Sequence, residues 1–324
     1  MNLIEGKTFF VTGGAGLIGS HITDQLLAAG AGRIRVLDNF VRGREDNLQH
    51  AMNTGKVELH RGDVRDQALV DQLVKNCDGV FHQAAMRLTL CSERPRECLD
   101  SMVMGALNII ESCLKHRVKK LVAASSVSIY GNADQFPISE NHHPYNNRTL
   151  YAGAKIANEQ MYRAFHDMNG LPYVAFRYFN VYGPRMDRTG AYTEVMIRWL
   201  YATMDRTRPK IFGQGDQSMD FVHVEDIARA NLVAYQSNVV DEVFNVCSGL
   251  ETTLLELWKI IRKTAEVHDL EPEYLPPRNI GPVGRRVGDP SKAKKMLGFE
   301  TRISLEEGMQ SLYQWLRSAP RLQA

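Results

Sequence analysis

Residues 12–19, Thr-Gly-Gly-Ala-Gly-Leu-Ile-Gly, decide the fold of this 324-residue chain. They follow an apolar run at 7–12, Lys-Thr-Phe-Phe-Val-Thr, and precede a helical pattern over 17–29. A buried strand, a glycine turn and a helix in this order open a dinucleotide-binding unit. The glycines let the backbone approach a pyrophosphate, which rests on free N–H groups at the helix start. We therefore predict a dinucleotide site made by Gly13, Gly16, Leu17, Ile18 and Gly19.

Further apolar runs continue the alternation of strands and helices. Candidate strands lie at 33–38, 57–63, 79–85, 119–125 and 173–179, and helical patterns at 95–117 and 151–169 separate the last three. This pattern predicts an α/β fold with a Rossmann-type doubly wound parallel sheet. After residue 180 the alternation ends, which predicts a smaller α+β substrate domain.

The two predicted domains share the chain unevenly. The dinucleotide-binding domain takes 1–180 and returns at about 220–248, where strands at 219–224 and 242–246 are expected to rejoin the large sheet. The substrate domain takes 181–219 and 249–324, and includes helices at 290–297 and 304–317.

Residues at the strand ends complete the predicted cofactor site. Asp38 lies about 20 residues past the glycine turn, where a carboxylate accepts hydrogen bonds from a ribose 2′-OH and repels a 2′-phosphate. NAD is therefore favoured over NADP, although Arg42 and Arg44 lie nearby. Asp63 either flanks the adenine or caps the next helix. Further predicted contacts near these strand ends are Asn39, Val64, Gln83, Ala84 and Ala85.

Tyr151 and Lys155 are the candidate catalytic pair. They are four residues apart and share one face of a helix. A lysine ammonium beneath a phenol is expected to lower the phenol pKa from about 10, so that it can exchange a proton at neutral pH. Such a pair alone is common on solvated helices. Its weight comes from serines at 125, 126 and 128, because ligands bind outside the carboxyl ends of parallel strands.

Composition excludes several classes of partner. The net charge is +2 and lysines and arginines form only short pairs, so we predict no nucleic-acid partner. No apolar stretch approaches 18 residues, so we predict no membrane partner and a cytoplasmic protein. The five cysteines lack metal-ligand spacing and are expected to be reduced thiols, and we predict no metal site.

Taken together, these segments resemble the extended short-chain dehydrogenase/reductase superfamily and, within it, the NAD-dependent nucleotide-sugar epimerase/dehydratase family. The resemblance spans roughly residues 5–315 and rests on segments 12–19, 38–39, 62–64, 82–85, 125–131, 151–155, 177–184 and 220–228. It implies NAD as cofactor and a triad of Ser126, Tyr151 and Lys155, with Ser125 and Ser128 as alternatives to the first serine. Tyr151 would be the general base on a sugar hydroxyl, and Lys155 would bind the nicotinamide ribose. The resemblance also implies cofactor contacts at Arg87, Ser101 and Tyr178.

The residues after Ser126 separate the activities that the resemblance allows. Dehydratases and decarboxylases of this kind carry an acid there, whereas this chain has Val127 and Ser128. Elimination without a positioned acid or base would forfeit about 10²–10⁴ in rate. We therefore expect 4-epimerisation of a UDP-hexose: UDP-glucose/galactose, the N-acetylated pair, or a uronic acid. The alternatives are a dehydrogenase or reductase of the same superfamily and a non-catalytic dinucleotide sensor.

Two departures from the family pattern concern the substrate. Met219 stands where an arginine usually binds the nucleotide diphosphate, and 278–283 replaces a second phosphate-binding segment. We expect Arg286 or its neighbour Arg285 to contact the diphosphate and N-acetylhexosamines to be accepted. Other candidate arginines are Arg185, Arg198 and Arg278, and the remaining substrate contacts implied are Ser126, Ser128, Tyr151, Asn180, Val195 and Phe212.

The resemblance also implies a homodimer and a role in polysaccharide biosynthesis. Helices 95–117 and 151–169 would pair across the dimer. Their apolar residues explain such a seam and packing within one subunit nearly equally well: Met102, Met104, Leu107, Ile110, Ala157 and Met161.

Overall fold

The large sheet of the protein has seven parallel strands in the order β11-β6-β5-β4-β1-β2-β3. A computed structural model describes residues 3–188, 194–277 and 284–319. The strands of this sheet are β1 Thr8–Thr12, β2 Arg33–Asp38, β3 Val57–Arg61, β4 Gly79–His82, β5 Lys120–Ser126, β6 Tyr173–Tyr178 and β11 Glu242–Val246. Strand order reverses between β1 and β4, which opens a crevice at their carboxyl ends. The predicted doubly wound α/β fold is confirmed.

Helices cover both faces of this sheet, and others pack in the rest of the chain. The bounds of all the helices described are α1 Leu17–Ala28, α2 Gln49–Met52, α3 Gln67–Val74, α4 Leu88–Glu93, α5 Pro95–Leu99, α6 Gly105–Lys115, α7 Leu150–Asn169, α8 Val195–Met204, α9 Val224–Gln236, α10 Leu254–Thr264, α11 Ser291–Leu297 and α12 Leu305–Ser318. Short 3₁₀ turns lie at Glu45–Leu48 and Val127–Tyr130.

The helix that carries the catalytic pair, α7, has defined ends. The Thr149 side chain accepts the Ala152 N–H at its start, and Gly170, with φ of +72°, ends it in the left-handed conformation. Because Tyr151 lies in the first turn and Lys155 one turn later, both are held where α7 faces the end of β5. The sequence order therefore sets the position of the pair.

The core divides between the two faces of the sheet. On one face, α1 and α9 pack together beneath an aromatic group of Phe9, Phe81 and Tyr235 with ring centroids 5.0–5.9 Å apart. On the other, α3, α6 and α7 cover side chains such as Val80 and Leu121, which are fully buried. Burial on both faces explains why the sequence of these strands is nearly continuously apolar.

The rest of the chain builds three small sheets beside the crevice. Their strands are β7 Asn180–Tyr182, β8 Lys210–Phe212, β9 Ser218–Met219, β10 Phe221–His223, β12 Thr252–Thr253, β13 Glu273–Leu275 and β14 Arg285–Arg286. Strand β10 pairs with β7 and not with the large sheet, which corrects the prediction for 219–224. A separate apolar cluster around Trp199 and Trp258 joins α8, α10 and α12. The division into two domains remains a prediction.

The segment predicted as one helix over 95–117 is more irregular. It is α5, a π-helical turn at Asp100–Met104 and then α6. Cys91 and Cys98 form a disulfide, because the chain reverses at Arg94 and brings their Cα atoms to 4.9 Å. This corrects the prediction of five reduced thiols. Within the described ranges, Cys77, Cys113 and Cys247 are free and buried.

Membrane insertion has no candidate segment in the part of the chain that the structure describes. None of its helices combines the length and the apolar character that crossing a membrane requires.

Candidate active site

A cavity of about 460 Å³ lies at the carboxyl ends of the large sheet. All of the predicted cofactor contacts line it: Gly13, Gly16, Leu17, Ile18, Gly19, Asp38, Asn39, Asp63, Val64, Gln83, Ala84, Ala85, Arg87, Ser101, Tyr151, Lys155 and Tyr178. Ser101 reaches it from the π-helical turn. The structure therefore brings these residues together on one surface.

The glycine turn is built for close backbone packing. Gly13 has φ of +64°, and a Cβ there would lie 2.8 Å from the Ala84 nitrogen. That nitrogen donates to the Thr12 hydroxyl at 3.2 Å, which ties β1 to the turn after β4. A Cβ on Gly19 would collide with the Gly13 carbonyl. Side chains are thus excluded where α1 begins, so its N–H groups face the cavity for a pyrophosphate.

Asp38 is buried beside this turn. Its carboxylate accepts the Ala15 N–H at 3.0 Å and the Phe40 N–H at 2.8 Å. Burial raises its pKa, and these two hydrogen bonds oppose that rise. The acceptor fits a ribose hydroxyl at this strand end. Of the two nearby arginines, Arg42 lines the cavity and Arg44 pairs with Asp46.

Asp63 lines the cavity with its carboxylate already engaged. Burial would raise its pKa, but hydrogen bonds from Arg65 and Asn39 lower the pKa to about 2. Arg65 donates from Nε at 2.9 Å and from Nη2 at 2.9 Å. The alternative role predicted for Asp63, capping the next helix, is wrong, because Asp66 caps α3 through the Leu69 N–H.

The three serines at the end of β5 have different partners. The Ser126 hydroxyl accepts the Ser128 N–H at 3.1 Å, and its interaction with the Tyr151 phenol opposes the rise in the pKa of that phenol. The Ser125 hydroxyl instead donates to the buried Glu159 carboxylate. Glu159 in turn pairs with Arg177 at 2.6 Å. The geometry therefore favours Ser126 over Ser125 as the partner of Tyr151.

Lys155 lies near the Tyr151 ring, as the sequence predicted, but its ammonium is engaged by the backbone. Its Nζ donates to the Ala124 carbonyl at 2.6 Å and lies 6.0 Å from the centroid of the Tyr151 ring. Burial lowers its pKa to about 8. Burial raises the pKa of Tyr151. Three groups oppose this rise: the Ser126 hydroxyl, through a hydrogen-bonding interaction, and the positive charges of Arg42 and Arg286. Two arginines thus also act on the phenol, and the Tyr–Lys spacing gave no way to anticipate them.

A second cavity of about 710 Å³ adjoins the first, and Glu194 lines both. The predicted substrate contacts Asn180, Val195, Phe212 and Arg286 line the second cavity, while Ser126, Ser128 and Tyr151 line the first. Further wall residues that sequence reasoning missed include Trp199, Met186 and Pro277. They come from segments far apart in the sequence, so no local spacing indicated them.

Arg285 and Arg286 are neighbours with different surroundings. Arg285 is exposed, pairs with Glu251 at 2.7 Å and lies in neither cavity, so the structure does not support its predicted substrate contact. Arg286 lines the second cavity, and within the described part of the chain its buried Nε has no hydrogen-bond partner. Strand β14 places Arg286 in register with Met219 of β9. Arg286 thus lies beside the position where the family pattern has its arginine.

The other candidate arginines differ in what they can reach. Arg198 lines the second cavity. Arg185 lines the first and pairs with Asp24 at 2.6 Å. Arg87 donates to Asp187 at 2.9 Å across the mouth of the same cavity. Arg278 lies outside the described residues.

Comparison with known proteins places this geometry in context. The model of the NAD dependent epimerase/dehydratase family matches residues 9–247. A putative UDP-glucose 4-epimerase of Methanocaldococcus jannaschii is 36% identical over 96% of this chain and 99% of its own length.

Two solved structures are similar along almost their whole length. A UDP-N-acetylglucosamine 4-epimerase of Methanobrevibacter ruminantium, in complex with UDP-N-acetylmuramic acid, is 31% identical with a TM-score of 0.91, over 97% of this chain and 99% of that one. A UDP-glucose 4-epimerase of Thermotoga maritima with UDP-glucose is 33% identical with a TM-score of 0.89, over 96% and 98%. The resemblance and the NAD cofactor predicted from the sequence are confirmed, and the chain belongs to the NAD-dependent epimerase/dehydratase family.

Proposed function

We propose that this protein is an NAD-dependent 4-epimerase of UDP-hexoses. The observation that carries the proposal is the Ser126–Tyr151 pair, which faces the cofactor cavity without an acid in the segment that follows Ser126. Relatives in the same family include a UDP-N-acetyl-α-D-glucosaminuronate decarboxylase of Bacillus cytotoxicus, 29% identical over 96% of this chain. The absence of an acid in that segment favours oxidation and reduction at one carbon over loss of water or carbon dioxide.

Residues of the first cavity carry out the proton transfer and position the reacting oxygen. Bound NAD⁺ supplies the hydride acceptor for the sugar carbon and the hydride that returns. Tyr151 takes the proton from the C4 hydroxyl, and the Ser126 hydroxyl holds that oxygen in line. When the C4 ketone is reduced on its opposite face, the same phenol returns the proton. Because hydride and proton both return, the cycle needs no outside oxidant.

The second cavity holds the nucleotide half of the substrate. Arg286 is the central residue of this assignment, because its Nε is buried and has no hydrogen-bond partner among the described residues. A UDP diphosphate carries about two negative charges, and a guanidinium donates to such oxygens in pairs. Bound there, Arg286 supplies the contact that Met219 cannot, and space beside the sugar admits an N-acetyl group. We propose that both plain and N-acetylated UDP-hexoses are substrates.

The test is incubation with a panel of UDP-sugars. Purified protein receives UDP-glucose, UDP-galactose, UDP-N-acetylglucosamine, UDP-N-acetylgalactosamine or UDP-glucuronate, and NMR distinguishes an axial from an equatorial proton at C4. We expect the C4 epimers to interconvert without a rise in the absorbance of NADH. Net NADH, or a product lacking water or carbon dioxide, would replace this assignment with a dehydrogenase, dehydratase or decarboxylase.

We also propose that the protein is a cytoplasmic homodimer that serves polysaccharide biosynthesis. Two of the residues suggested for the dimer contact, Met102 and Ile110, are buried within one subunit and so are not available to a partner. Met104 is 50% exposed and supports the seam best. Light scattering should give the mass of a dimer at micromolar concentration, and Met104→Glu should give that of a monomer. A monomeric wild-type protein would remove the dimer from the proposal.

A further inference from the structure

Two histidines and an aspartate meet on the loop between β5 and α7, away from both cavities. They are Asp134, His142 and His143, and their ligand atoms all lie within 4.8 Å of one another. We predicted no metal site from cysteine spacing, but that test does not examine histidines. The cluster has no role in the proposed epimerisation, which leaves its purpose open.

The carboxylate of Asp134 faces both imidazoles. Its Oδ1 is 2.9 Å from His142 Nε2, and its Oδ2 is 3.4 Å from His143 Nε2. A tetrahedral ion with bonds of about 2.1 Å holds its ligand atoms about 3.4 Å apart. One separation equals this value, the other is about 0.5 Å shorter, and all the ligand atoms lie within 4.8 Å of one another, so a small ion fits after side-chain adjustments on the order of half an ångström.

The orientation of His142 is fixed by its other ring nitrogen. Its Nδ1 lies 2.8 Å from the His143 carbonyl, which accepts only if Nδ1 carries the proton. The neutral ring then turns the Nε2 lone pair toward Asp134, and the Asp134 backbone N–H also points at that atom at 3.2 Å. A second nitrogen bound to a backbone carbonyl is the arrangement that metal-ligating histidines usually have. The Nε2 lone pair accepts that N–H, and the Asp134 Oδ1 lone pairs still lie 2.9 Å from the same nitrogen, so a cation between the two atoms would relieve their repulsion.

Aromatic packing holds both rings in place before any ion binds. The His142 side chain is 3% exposed and stands edge-on to Tyr130 with centroids 5.8 Å apart. His143 stacks on His142 at 4.7 Å and on Tyr145 at 5.3 Å. His143 and Asp134 are accessible from solvent, so an ion can enter and water can complete its coordination.

We propose that Asp134, His142 and His143 bind one first-row transition-metal ion of the Zn²⁺ type. Two imidazole nitrogens and one carboxylate oxygen suit this class, whereas Mg²⁺ and Ca²⁺ prefer oxygen ligands alone. The ion clamps the loop that joins Ser126 and Ser128 to Tyr151, and its role is structural. The competing explanation of the same geometry is a shared proton between Asp134 and doubly protonated His142.

The test uses the full chain, stripped with a chelator and titrated without nucleotide. Calorimetry with Zn²⁺ should give one equivalent per chain, and Co²⁺ should give visible absorption bands of a low-symmetry site. His143→Gln should weaken Zn²⁺ binding by at least about tenfold, as should Asp134→Asn. Because His143 is partly exposed, the first variant leaves the buried His142 contact with Tyr130 in place.

A matched control comes from another histidine–aspartate pair. His116 Nε2 lies 2.9 Å from Asp71 Oδ1. Among the described residues, the ion pairs of Asp71 include Lys115 but no second histidine. His116→Gln should leave Zn²⁺ affinity unchanged. No Zn²⁺ binding by the wild type, or an equal loss in His116→Gln and His143→Gln, overturns the proposal and leaves the shared proton as the explanation.

Discussion

The two cavities of the active site are built in different ways, and the difference shows what a sequence reveals about a site. The first is formed by turns that follow β1, β2, β4 and β5, each at the same edge of one parallel sheet. The second is walled by β8, β9, β14 and α8, which belong to small sheets and a separate apolar cluster. In the first cavity, a residue that directly follows a strand of the parallel sheet must lie at the edge where the cavity is, so its place in the sequence determines its place in the site. In the second, position depends on how distant segments pair.

The variant with the largest expected effect removes the proposed base, which lines the first cavity. Tyr151→Phe keeps the ring and removes the proton acceptor, so turnover of a UDP-hexose should fall by at least about a hundredfold while NAD still binds. Turnover is measured by NMR and NAD content by absorbance after denaturation. Tyr274→Phe is the control, since Tyr274 is 53% exposed and lies in neither cavity. Near-normal turnover of folded Tyr151→Phe would exclude this tyrosine as the base.

Arg286→Ala tests the second cavity. If Arg286 binds the diphosphate, KM should rise about tenfold or more for every UDP-sugar alike, because a charged hydrogen bond contributes about 1.5–3 kcal/mol and serves ground and transition states equally. Arg285→Ala is the matched control, because Arg285 pairs with Glu251 on the surface.

A different pattern in Arg286→Ala would assign it another role. If KM for UDP-glucose stays constant while UDP-N-acetylglucosamine becomes a substrate for the first time, Arg286 is a steric gate beside the sugar. That outcome would leave the diphosphate without its proposed partner in the second cavity.

Asp38→Ala tests the first cavity with a smaller expected effect. The ribose 2′-OH loses its acceptor and a 2′-phosphate loses the repulsion, so NAD should bind about tenfold more weakly and the preference over NADP should shrink. Calorimetry with each cofactor measures both changes. Asp46→Ala is the control, since that carboxylate is 73% exposed and pairs with Arg44. Equal affinity of the wild type for both cofactors would show that Asp38 does not discriminate.

Most of the fold and the cofactor wall could be predicted because they depend on local order. The glycine turn, Asp38 and the Tyr151–Lys155 spacing each specify a place at a strand end. Arg286 was harder, since its position beside Met219 depends on the pairing of β14 with β9, two strands more than 60 residues apart. The Cys91–Cys98 disulfide also depended on an unpredicted chain reversal, at Arg94.

The electrostatics of Tyr151 could not be predicted for the same reason. Spacing along α7 indicated Lys155 as the neighbouring cation, but Lys155 turns to the Ala124 carbonyl. The charges that oppose the rise in the Tyr151 pKa come from Arg42, after β2, and Arg286, on β14. A helical motif identifies the residues that share a face, whereas the field at a buried phenol depends on all the segments around it.

The smallest expected effect is a change in pH dependence. Tyr151 acts as base when deprotonated, so turnover falls as pH drops below its pKa. Arg286 favours the phenolate, and replacing it by leucine should raise the Tyr151 pKa and move the acid limb of kcat to higher pH. Arg285→Leu should leave the limb in place, because that arginine does not act on Tyr151. If the acid limb of kcat in Arg286→Leu, measured at saturating UDP-sugar, does not move, then the charge of Arg286 does not affect the Tyr151 pKa. Arg286 would then serve substrate binding alone.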